Sequence, residues 1–254
     1  MLSEYEARAE HRDVFFSSMR KHNVNRCLLL TGSFRGGTSL VASLLTKNGA
    51  PGTDLEKFAP YFKFTKDSAI GEFKQYLDDT IATSENGFFS SKIMWPHRNN
   101  LSRSLGLARD HAPDFSALFP NSAWINVIRN DKFAQAVSFW KAKLTNRWHV
   151  YKIEDEPNLD YDFEGIRSAF IELSAHELLW RDFYSLSGAK CYTVLYEDFC
   201  EDIDFHLNKI VDFIGFHSDF SGNLITQPNL KIQRNDQSNE YRKRFIEDFY
   251  KTTY

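Results

Sequence analysis

Residues 28–45, LLLTGSFRGGTSLVASLL, place a short apolar run, a loop with three glycines and an apolar helical pattern in direct succession. This order predicts a buried strand, a turn and a helix whose N-terminal N–H groups converge on an anion. From Gly32 to Gly37 the loop follows the phosphate-binding pattern G-x-x-x-x-G-K-[ST], but Thr38 stands at the lysine position. The fixed positive charge within the loop is Arg35. The segment therefore predicts a phosphate-type ligand and disfavours ordinary ATP or GTP chemistry; a plain glycine-rich turn is the alternative.

Composition narrows the classes of protein to which the chain can belong. Its 254 residues, 42% of them hydrophobic, suffice for a sizeable core and predict one domain, 1–254. A net charge of −3 lacks the basic footprint of a nucleic-acid-binding protein. The widely spaced Cys27, Cys191 and Cys200 give neither a disulfide framework nor a zinc site, and they favour a reducing compartment. Because no targeting segment or membrane-length apolar run is visible, we expect a cytoplasmic protein.

Strand-like and helix-like segments alternate along the chain. Short continuous apolar runs predict buried strands at residues 26–31, 88–94, 123–128 and 191–196. Helical patterns lie at residues 38–47, 72–83, 132–143, 164–187 and 205–214, with an N-terminal helix within residues 1–25. A polar tail from residue 227 leads into a short basic helix at residues 241–250. The alternation predicts an α/β fold in three layers, a central parallel sheet flanked by helices.

Cations stand at or near three of the four predicted strand ends. They are Arg35 after the first strand, Lys92 near the end of the second and Arg129 at the end of the third. In parallel sheets, ligands bind at the carboxyl ends of the strands. We therefore expect these cations to gather at one edge and to bind a polyanionic small molecule. A solvated lysine at the rim is the alternative for Lys92.

The segment after the third strand predicts a second anion site. Asp131 is a candidate N-cap, which puts Gln135 and Ser138 on one helical face at i+4 and i+7. Arg129 can point into the same space, where its guanidinium and the Ser138 hydroxyl can hold a phosphate. In the alternative, Arg129 pairs with Asp131 and Ser138 is an incidental small residue. Together with the glycine loop, this segment predicts a ligand with two separated anionic groups.

These segments resemble sulfotransferases that use 3′-phosphoadenosine 5′-phosphosulfate (PAPS), and in particular the bacterial trehalose 2-sulfotransferase family. The loop RGGTS at residues 35–39 is similar to the R-S-G-S-T loop of that family. Residues 129–140, RNDKFAQAVSFW, are similar to its R-x-D-x-x-x-Q-A-V-S-x-W segment, and residues 92–95, KIMW, to its K-L-M-W strand end. Weaker similarity continues to about residue 248.

The resemblance implies a P-loop sulfotransferase-type fold that binds PAPS, releases 3′-phosphoadenosine 5′-phosphate (PAP) and needs no metal. The residues implied to bind the nucleotide are Arg35, Gly36, Gly37, Thr38 and Ser39 at the 5′-phosphosulfate, and Arg129 and Ser138 at the 3′-phosphate. The basic tail residues Lys231 and Arg234 are candidates to close over the nucleotide, with a polar surface loop as the alternative. Glu56 stands where the family has a glutamate as general base.

The catalytic candidates are Glu56, Arg35, Lys92 and His97. Sulfuryl transfer requires positioning of the acceptor hydroxyl, stabilisation of the charge on the leaving phosphate, and a base for the hydroxyl proton. Arg35 and Lys92 can stabilise that charge. The more distant animal cytosolic sulfotransferases have a K-T-H strand end with histidine as base, where this chain has methionine, so Glu56 or His97 remains, with Asp54 as a weaker candidate. The alternative interpretation of Glu56 is a surface glutamate, and that of His97 is a solvated loop histidine.

The sequence thus predicts in-line transfer of a sulfuryl group from PAPS to a hydroxyl, on a carbohydrate or a glycolipid. The aromatic candidates for stacking on such an acceptor are Tyr61, Phe62, Trp95 and Trp148, with core packing as the alternative. We expect no nucleic-acid partner and no membrane span, and the resemblance favours a homodimer. The rival functions are a P-loop nucleotide kinase and a degenerate nucleotide-binding protein without transfer activity.

Overall fold

A computed structural model describes residues 9–59, 70–107, 111–148, 159–215, 224–227 and 236–253. The described residues form four strands: β1 (Arg26–Gly32), β2 (Phe88–Met94), β3 (Ser122–Ile128) and β4 (Cys191–Leu195). They also form ten helices: α1 (Ala9–Lys21), α2 (Thr38–Lys47), α3 (Ile70–Ile81), α4 (Trp95–Ser104), α5 (Ala112–Ala117), α6 (Lys132–Thr145), α7 (Phe163–Ser187), α8 (Tyr196–Glu201), α9 (Ile203–Ile214) and α10 (Asp236–Thr253).

The strands match the predicted ones to within a residue at each end, whereas several helices differ from expectation. The sequence predicts neither of the short helices α5 and α8, and α3 lies two residues earlier than predicted. The last helix begins at Asp236 rather than at residue 241, because the polar stretch before Tyr241 supplies its first turn with Asp236 as an acidic residue. The residues after β2 form α4, which no apolar pattern predicts and which carries a proline in its first turn.

The four strands form one parallel sheet in the order β2-β1-β3-β4. Gly32, the last residue of β1, lies opposite Met94 of β2 and Val127 of β3. The carboxyl ends of these three strands therefore meet at one edge. The chain moves from β1 to β2 on one side and then crosses to β3 on the other, so a switch point of the kind that binds ligands lies between β1 and β3.

Helices cover both faces of the sheet, which confirms the predicted three layers. In β1, Cys27 and Leu29 pack with α1, α3 and α7, while Leu28 and Leu30 pack with α2 and α9 on the opposite face. A strand that is buried on both faces needs apolar side chains at every position, since successive side chains point to opposite sides. This requirement explains the continuous apolar runs in the sequence.

A third cluster joins α6, α7 and α10. Tyr241 and Phe245 of α10 pack with Trp140 of α6 and with Ile166 and Leu173 of α7. The cluster fixes the C-terminal helix beside the helix that follows β3, and so beside the predicted second anion site.

The three cysteines are free thiols, as the sequence predicts. Burial raises the pKa of the Cys27 thiol above the range in which it would ionise, and it raises the pKa of Cys191 to about 11. Within the described ranges, no helix is both long enough and apolar enough to cross a bilayer.

Truncation of the central strand is expected to destabilise the fold strongly. Leu29 is fully buried in β1, so Leu29→Ala should lower the free energy of unfolding by about 2–5 kcal/mol. Leu186→Ala is the matched control, because Leu186 on α7 is 63% exposed and its truncation should change that free energy by less than about 0.5 kcal/mol. Urea unfolding measures both, and equal losses would contradict the two-sided burial of β1.

Candidate active site

The glycine loop at residues 32–37 joins β1 to α2 through two left-handed residues. Arg35 has φ 59° and Gly37 has φ 95°. A Cβ on Gly37 would lie 2.1 Å from the ring of Tyr196, so this position requires glycine for its space as well as for its backbone. Among the described residues, no side chain caps the N-terminus of α2 at Gly37. The first N–H groups of α2, including those of Thr38 and Ser39, thus face the loop without an intrahelical acceptor.

Gln135 of α6 clamps this loop. Its fully buried amide donates from Nε2 to Ser33 Oγ at 2.8 Å and to the carbonyl oxygen of Phe34 at 2.7 Å. Its Oε1 accepts from Lys132 Nζ at 3.0 Å, and Lys132 in turn pairs with Glu177. Because the ammonium occupies the oxygen, the amide nitrogen must face the loop. The sequence places Gln135 on this face but gives it no role; its i+4 position from the N-cap is the signal.

A tryptophan supports the loop from the other side. Trp180 of α7 is fully buried and donates from Nε1 to the carbonyl oxygen of Gly32 at 3.1 Å. Its ring packs edge-on against Trp95, with centroids 5.0 Å apart. Trp95 therefore belongs to the core, and the alternative of core packing describes it better than acceptor stacking.

The residues of the two predicted phosphate sites lie together in one cluster. Arg35 donates from Nε to Ser138 Oγ at 2.8 Å and from Nη1 to the carbonyl oxygen of Trp148 at 2.5 Å. Arg129 donates from Nη1 to the carbonyl oxygen of Arg35 at 3.2 Å, and its guanidinium lies 5.2 Å from the Tyr196 ring centroid. The sequence pairs Ser138 with Arg129, whereas in the structure the side chain of Arg35 contacts it. The docking of α6 onto the loop by Gln135 brings these two residues together.

Asp131 serves α6 and α10. It accepts from Ala134 N at 3.0 Å, which confirms the predicted N-cap, and it pairs with Arg242 Nε at 2.9 Å. Burial raises the pKa of Asp131, but the Ala134 hydrogen bond and the charges of Arg242 and Arg129 outweigh burial and hold the pKa below its usual value. Glu197, to which the sequence assigns no role, accepts from the backbone N–H groups of Asn130 and Asp131, both at 3.1 Å.

Lys92 supplies the ammonium that the loop lacks. It is only 1% exposed, so it is not the solvated rim lysine of the alternative prediction. Its Nζ donates to Ser39 Oγ at 3.1 Å and lies 3.1 Å from Glu56 Oε1. A positive charge thus reaches the first turn of α2 from the neighbouring strand, although Thr38 occupies the usual lysine position.

Glu56 and His97 lie beside this lysine. His97 is buried in the first turn of α4 rather than in a solvated loop, and its Nδ1 accepts from Met94 N at 3.4 Å. That bond puts the neutral imidazole proton on Nε2, which lies 3.7 Å from Glu56 Oε2. Burial lowers the pKa of His97, the charge of Glu56 raises it, and the charge of Lys92 lowers it, with a net decrease. The Glu56 side chain is 29% exposed, so its carboxylate is partly open to solvent.

The remaining candidates have other partners or lie outside the described residues. Asp54 is exposed and accepts from Thr46 Oγ1 at 3.1 Å. The Trp148 ring packs against Phe34 with centroids 5.7 Å apart. The predicted residues Tyr61, Phe62, Lys231 and Arg234 lie outside the described residues. Within the described part of the chain, no group of three His, Cys, Asp or Glu side chains is placed to hold a metal ion.

A family model matches most of this chain. The model of the Stf0 sulphotransferase family matches residues 27–248. A trehalose 2-sulfotransferase of Mycobacterium tuberculosis is 23% identical in an alignment 258 positions long. The alignment covers 87% of this chain and 94% of that protein. A sulfotransferase structure from Alicyclobacillus acidocaldarius aligns at 12% identity and a TM-score of 0.49, covering 87% of this chain and 91% of its own. The sulfotransferase domain of the Synechococcus PCC 7002 olefin synthase aligns at 14% identity and a TM-score of 0.41. The alignment covers 88% of this chain and 95% of that domain.

The fit of Gly37 against Tyr196 can be tested through stability. Gly37→Ala adds a Cβ in a left-handed conformation and against the ring, whereas Gly188→Ala adds one at φ 65° with nothing within 4 Å. Gly188→Ala should therefore cost about 1 kcal/mol of unfolding free energy, and Gly37→Ala about 1–3 kcal/mol more. Urea unfolding compares the two variants. Equal losses would show that the Tyr196 ring does not press on the loop.

Proposed function

We propose that this chain, which belongs to the Stf0 sulphotransferase family, transfers a sulfuryl group from PAPS to a hydroxyl of a carbohydrate acceptor. That the chain is a sulfotransferase follows from the family match. The choice of donor, acceptor and catalytic residues is our inference from the side chains at the sheet edge.

The observation that carries the proposal is the position of Lys92 between Ser39 and Glu56. Its buried ammonium lies 3.1 Å from the Ser39 hydroxyl oxygen and 3.1 Å from a Glu56 carboxylate oxygen. Ser39 lies in the first turn of α2, the helix that would hold the donor, and Glu56 is the candidate base. This arrangement joins charge stabilisation and proton removal within a few ångströms, as sulfuryl transfer requires.

The residues present fit a nucleotide with two anionic groups. The uncapped N-terminus of α2, with Gly37 and the Arg35 guanidinium beside it, would hold the 5′-phosphosulfate. Arg129 and Ser138 would hold the 3′-phosphate, and Arg35 contacts both the hydroxyl of Ser138 and, through its carbonyl oxygen, Arg129. The bound donor would supply the activated sulfuryl group.

The residues divide the chemical work between them. Glu56 accepts the proton of the acceptor hydroxyl as that oxygen forms its bond to sulfur. Lys92 and Arg35 stabilise the negative charge that grows on the leaving phosphate as its bond to sulfur breaks. The Ser39 hydroxyl, held by Lys92 Nζ at 3.1 Å, orients the same phosphate. His97 confines the carboxylate of Glu56 on its other side.

Two details disfavour the rival functions. A P-loop kinase places a lysine where this chain has Thr38, and it needs a metal-binding acid after a strand. The acid after β3 is Asp131, which caps α6 and pairs with Arg242. The Glu56–Lys92 pair disfavours a degenerate binding protein, because nucleotide binding alone does not require that carboxylate.

The carbohydrate class of the acceptor is inferred from the relative named trehalose 2-sulfotransferase. We extend it to glycolipids because their sugars carry the same hydroxyl groups. The Glu56 side chain is 29% exposed, so its carboxylate would be open to an acceptor hydroxyl. The single domain, the homodimer and the cytoplasmic location stay predictions of the sequence.

Calorimetry tests the donor. The protein should bind PAP without magnesium, and it should bind ATP much more weakly; the reverse preference would contradict the proposal.

The variant Arg129→Ala tests the 3′-phosphate site. It should lower the affinity for PAP about 10- to 150-fold, because a charged hydrogen bond is lost, and it should change the affinity for adenosine 5′-phosphate little. Arg181→Ala, at an exposed arginine of α7, is the control. Equal losses for both nucleotides would show that Arg129 does not read the 3′-phosphate.

Substitution of Glu56 tests the base. Glu56→Gln keeps the shape but removes the proton acceptor, so kcat should fall about 100- to 10,000-fold while PAP affinity stays unchanged. Asp54→Asn, two residues earlier on the same loop, should retain activity because Asp54 is exposed and pairs with Thr46. Transfer of labelled sulfate from PAPS to trehalose measures both. Retained activity in Glu56→Gln together with its loss in His97→Asn would move the base to His97.

A further inference from the structure

Glu56 stands on a loop, although its carboxylate must be held at a fixed distance from Lys92. The loop, residues 51–59, runs along β2, the edge strand of the described sheet. Lys92 N donates to the carbonyl oxygen of Leu55 at 3.0 Å, and Ser91 Oγ donates to the same oxygen at 3.4 Å. The loop thus covers part of an edge that would otherwise be open, and a single backbone bond sets the position of the residue before Glu56.

Lys57, the residue after Glu56, provides a second anchor. Its side chain points inward, and the residue is 8% exposed. Nζ donates to the carbonyl oxygen of Ser90 at 2.7 Å and to that of Pro51 at 3.3 Å, and it lies 4.7 Å from the Phe89 ring centroid. The Lys57 ammonium therefore links Pro51, the first residue of the loop, to Ser90 of β2, and it holds Lys57 itself against the strand.

The surroundings of Lys57 are shaped for an ammonium. Gly52 has φ 64°, and a Cβ there would lie 3.0 Å from Nζ. Tyr76 of α3 donates its hydroxyl to the Lys57 carbonyl oxygen, and Ser90 Oγ donates to Pro51 O at 2.6 Å. A buried ammonium is costly unless its hydrogen bonds compensate it, so an apolar side chain would fill this position at lower cost. The lysine is consistent with a need for directed bonds.

We propose that Lys57 is a positioning residue, which holds the Glu56 loop against β2 and so fixes the carboxylate relative to Lys92 and the acceptor hydroxyl. The inference rests on the proposed function, because it assigns the base role to Glu56. Lys57 touches no reacting atom, so its loss should act on kcat through the geometry of Glu56 and leave nucleotide binding intact.

The protonation of Lys57 gives this role a pH signature. The charged and titratable groups that face it are Asp54 on its own loop, Glu85 before β2 and Tyr76 of α3. Burial lowers the pKa of Lys57 from 10.5 to about 8, although Asp54 and Glu85 act in the opposite direction. The native state thus binds this proton less tightly than the unfolded chain, so the cost of burying the charge is present below pH 8 and is relieved as the pH rises toward 10.5. Deprotonation removes the charge from both anchoring bonds over the same range.

Hydrogen exchange of the Lys92 amide reports directly on the loop, since that amide donates to Leu55 O. In Lys57→Met this amide should exchange about tenfold faster. Lys190→Met is the matched control, because Lys190 also donates to a carbonyl oxygen, at 3.1 Å, and lies 4.7 Å from a phenylalanine ring, but beside β4. Unchanged exchange in Lys57→Met would overturn the proposal.

Kinetics test whether the anchor acts through Glu56. With labelled PAPS and trehalose, Lys57→Met should lower kcat about 10- to 100-fold with PAP affinity unchanged, and the wild-type decline in kcat above pH 8 should be absent from the variant. The double variant Glu56→Gln/Lys57→Met should be no slower than Glu56→Gln alone. Additive losses would overturn the proposal by showing that Lys57 acts elsewhere.

A milder variant covers the case in which Lys57→Met does not fold. Tyr76→Phe removes the hydroxyl that anchors the Lys57 carbonyl oxygen, and it should show a smaller kcat loss that also vanishes in the Glu56→Gln background. If the wild type transfers no sulfate or Glu56→Gln stays active, the proposed function fails. The exchange of the Lys92 amide still decides, independently, whether Lys57 holds the loop.

Discussion

The parallel alignment of three strands around β1 is the constraint on which the candidate site depends. Gly32 lies level with Met94 and Val127, so the loop after β1, the end of β2 and the end of β3 open at one edge. Lys92 contacts Ser39 in the first turn of α2, and Arg129 contacts Arg35 in the loop. The two cations come from the ends of the strands on either side of β1. Gln135 then fixes the distance between loop and α6 with two hydrogen bonds from one buried amide.

The charges at this edge are built into the protein rather than carried on its surface. Lys92 is buried, yet its ammonium contacts a hydroxyl and a carboxylate, which compensate the loss of water. It takes over the charge that a nucleotide-binding loop ordinarily carries at the position of Thr38. A buried, directed ammonium of this kind fits the proposed transfer, in which negative charge develops on the leaving phosphate.

Local patterns in the sequence predict much of the fold and part of the site. The apolar runs of β1 and β3 follow from burial on two faces, and the position of Asp131 as N-cap places Gln135 and Ser138 on one helical face. The contact between Arg35 and Ser138 is different, because it depends on how α6 docks on the loop. The burial of His97 likewise follows from α4, a helix without an apolar periodicity that the sequence could reveal.

By itself, the sequence determined the four strands, the longer helices between them, the glycine loop and the set of residue types available for chemistry, because these depend on periodicity and spacing within short segments. Only the tertiary structure decided which of those residues meet. Asp54 and Glu56 are both loop carboxylates, and in the sequence only the family resemblance favours Glu56. In the structure, Glu56 lies 3.1 Å from Lys92, whereas Asp54 accepts a hydrogen bond from Thr46 at the surface. The physical reason is that strand order and packing between distant segments set such distances, and no local pattern encodes them.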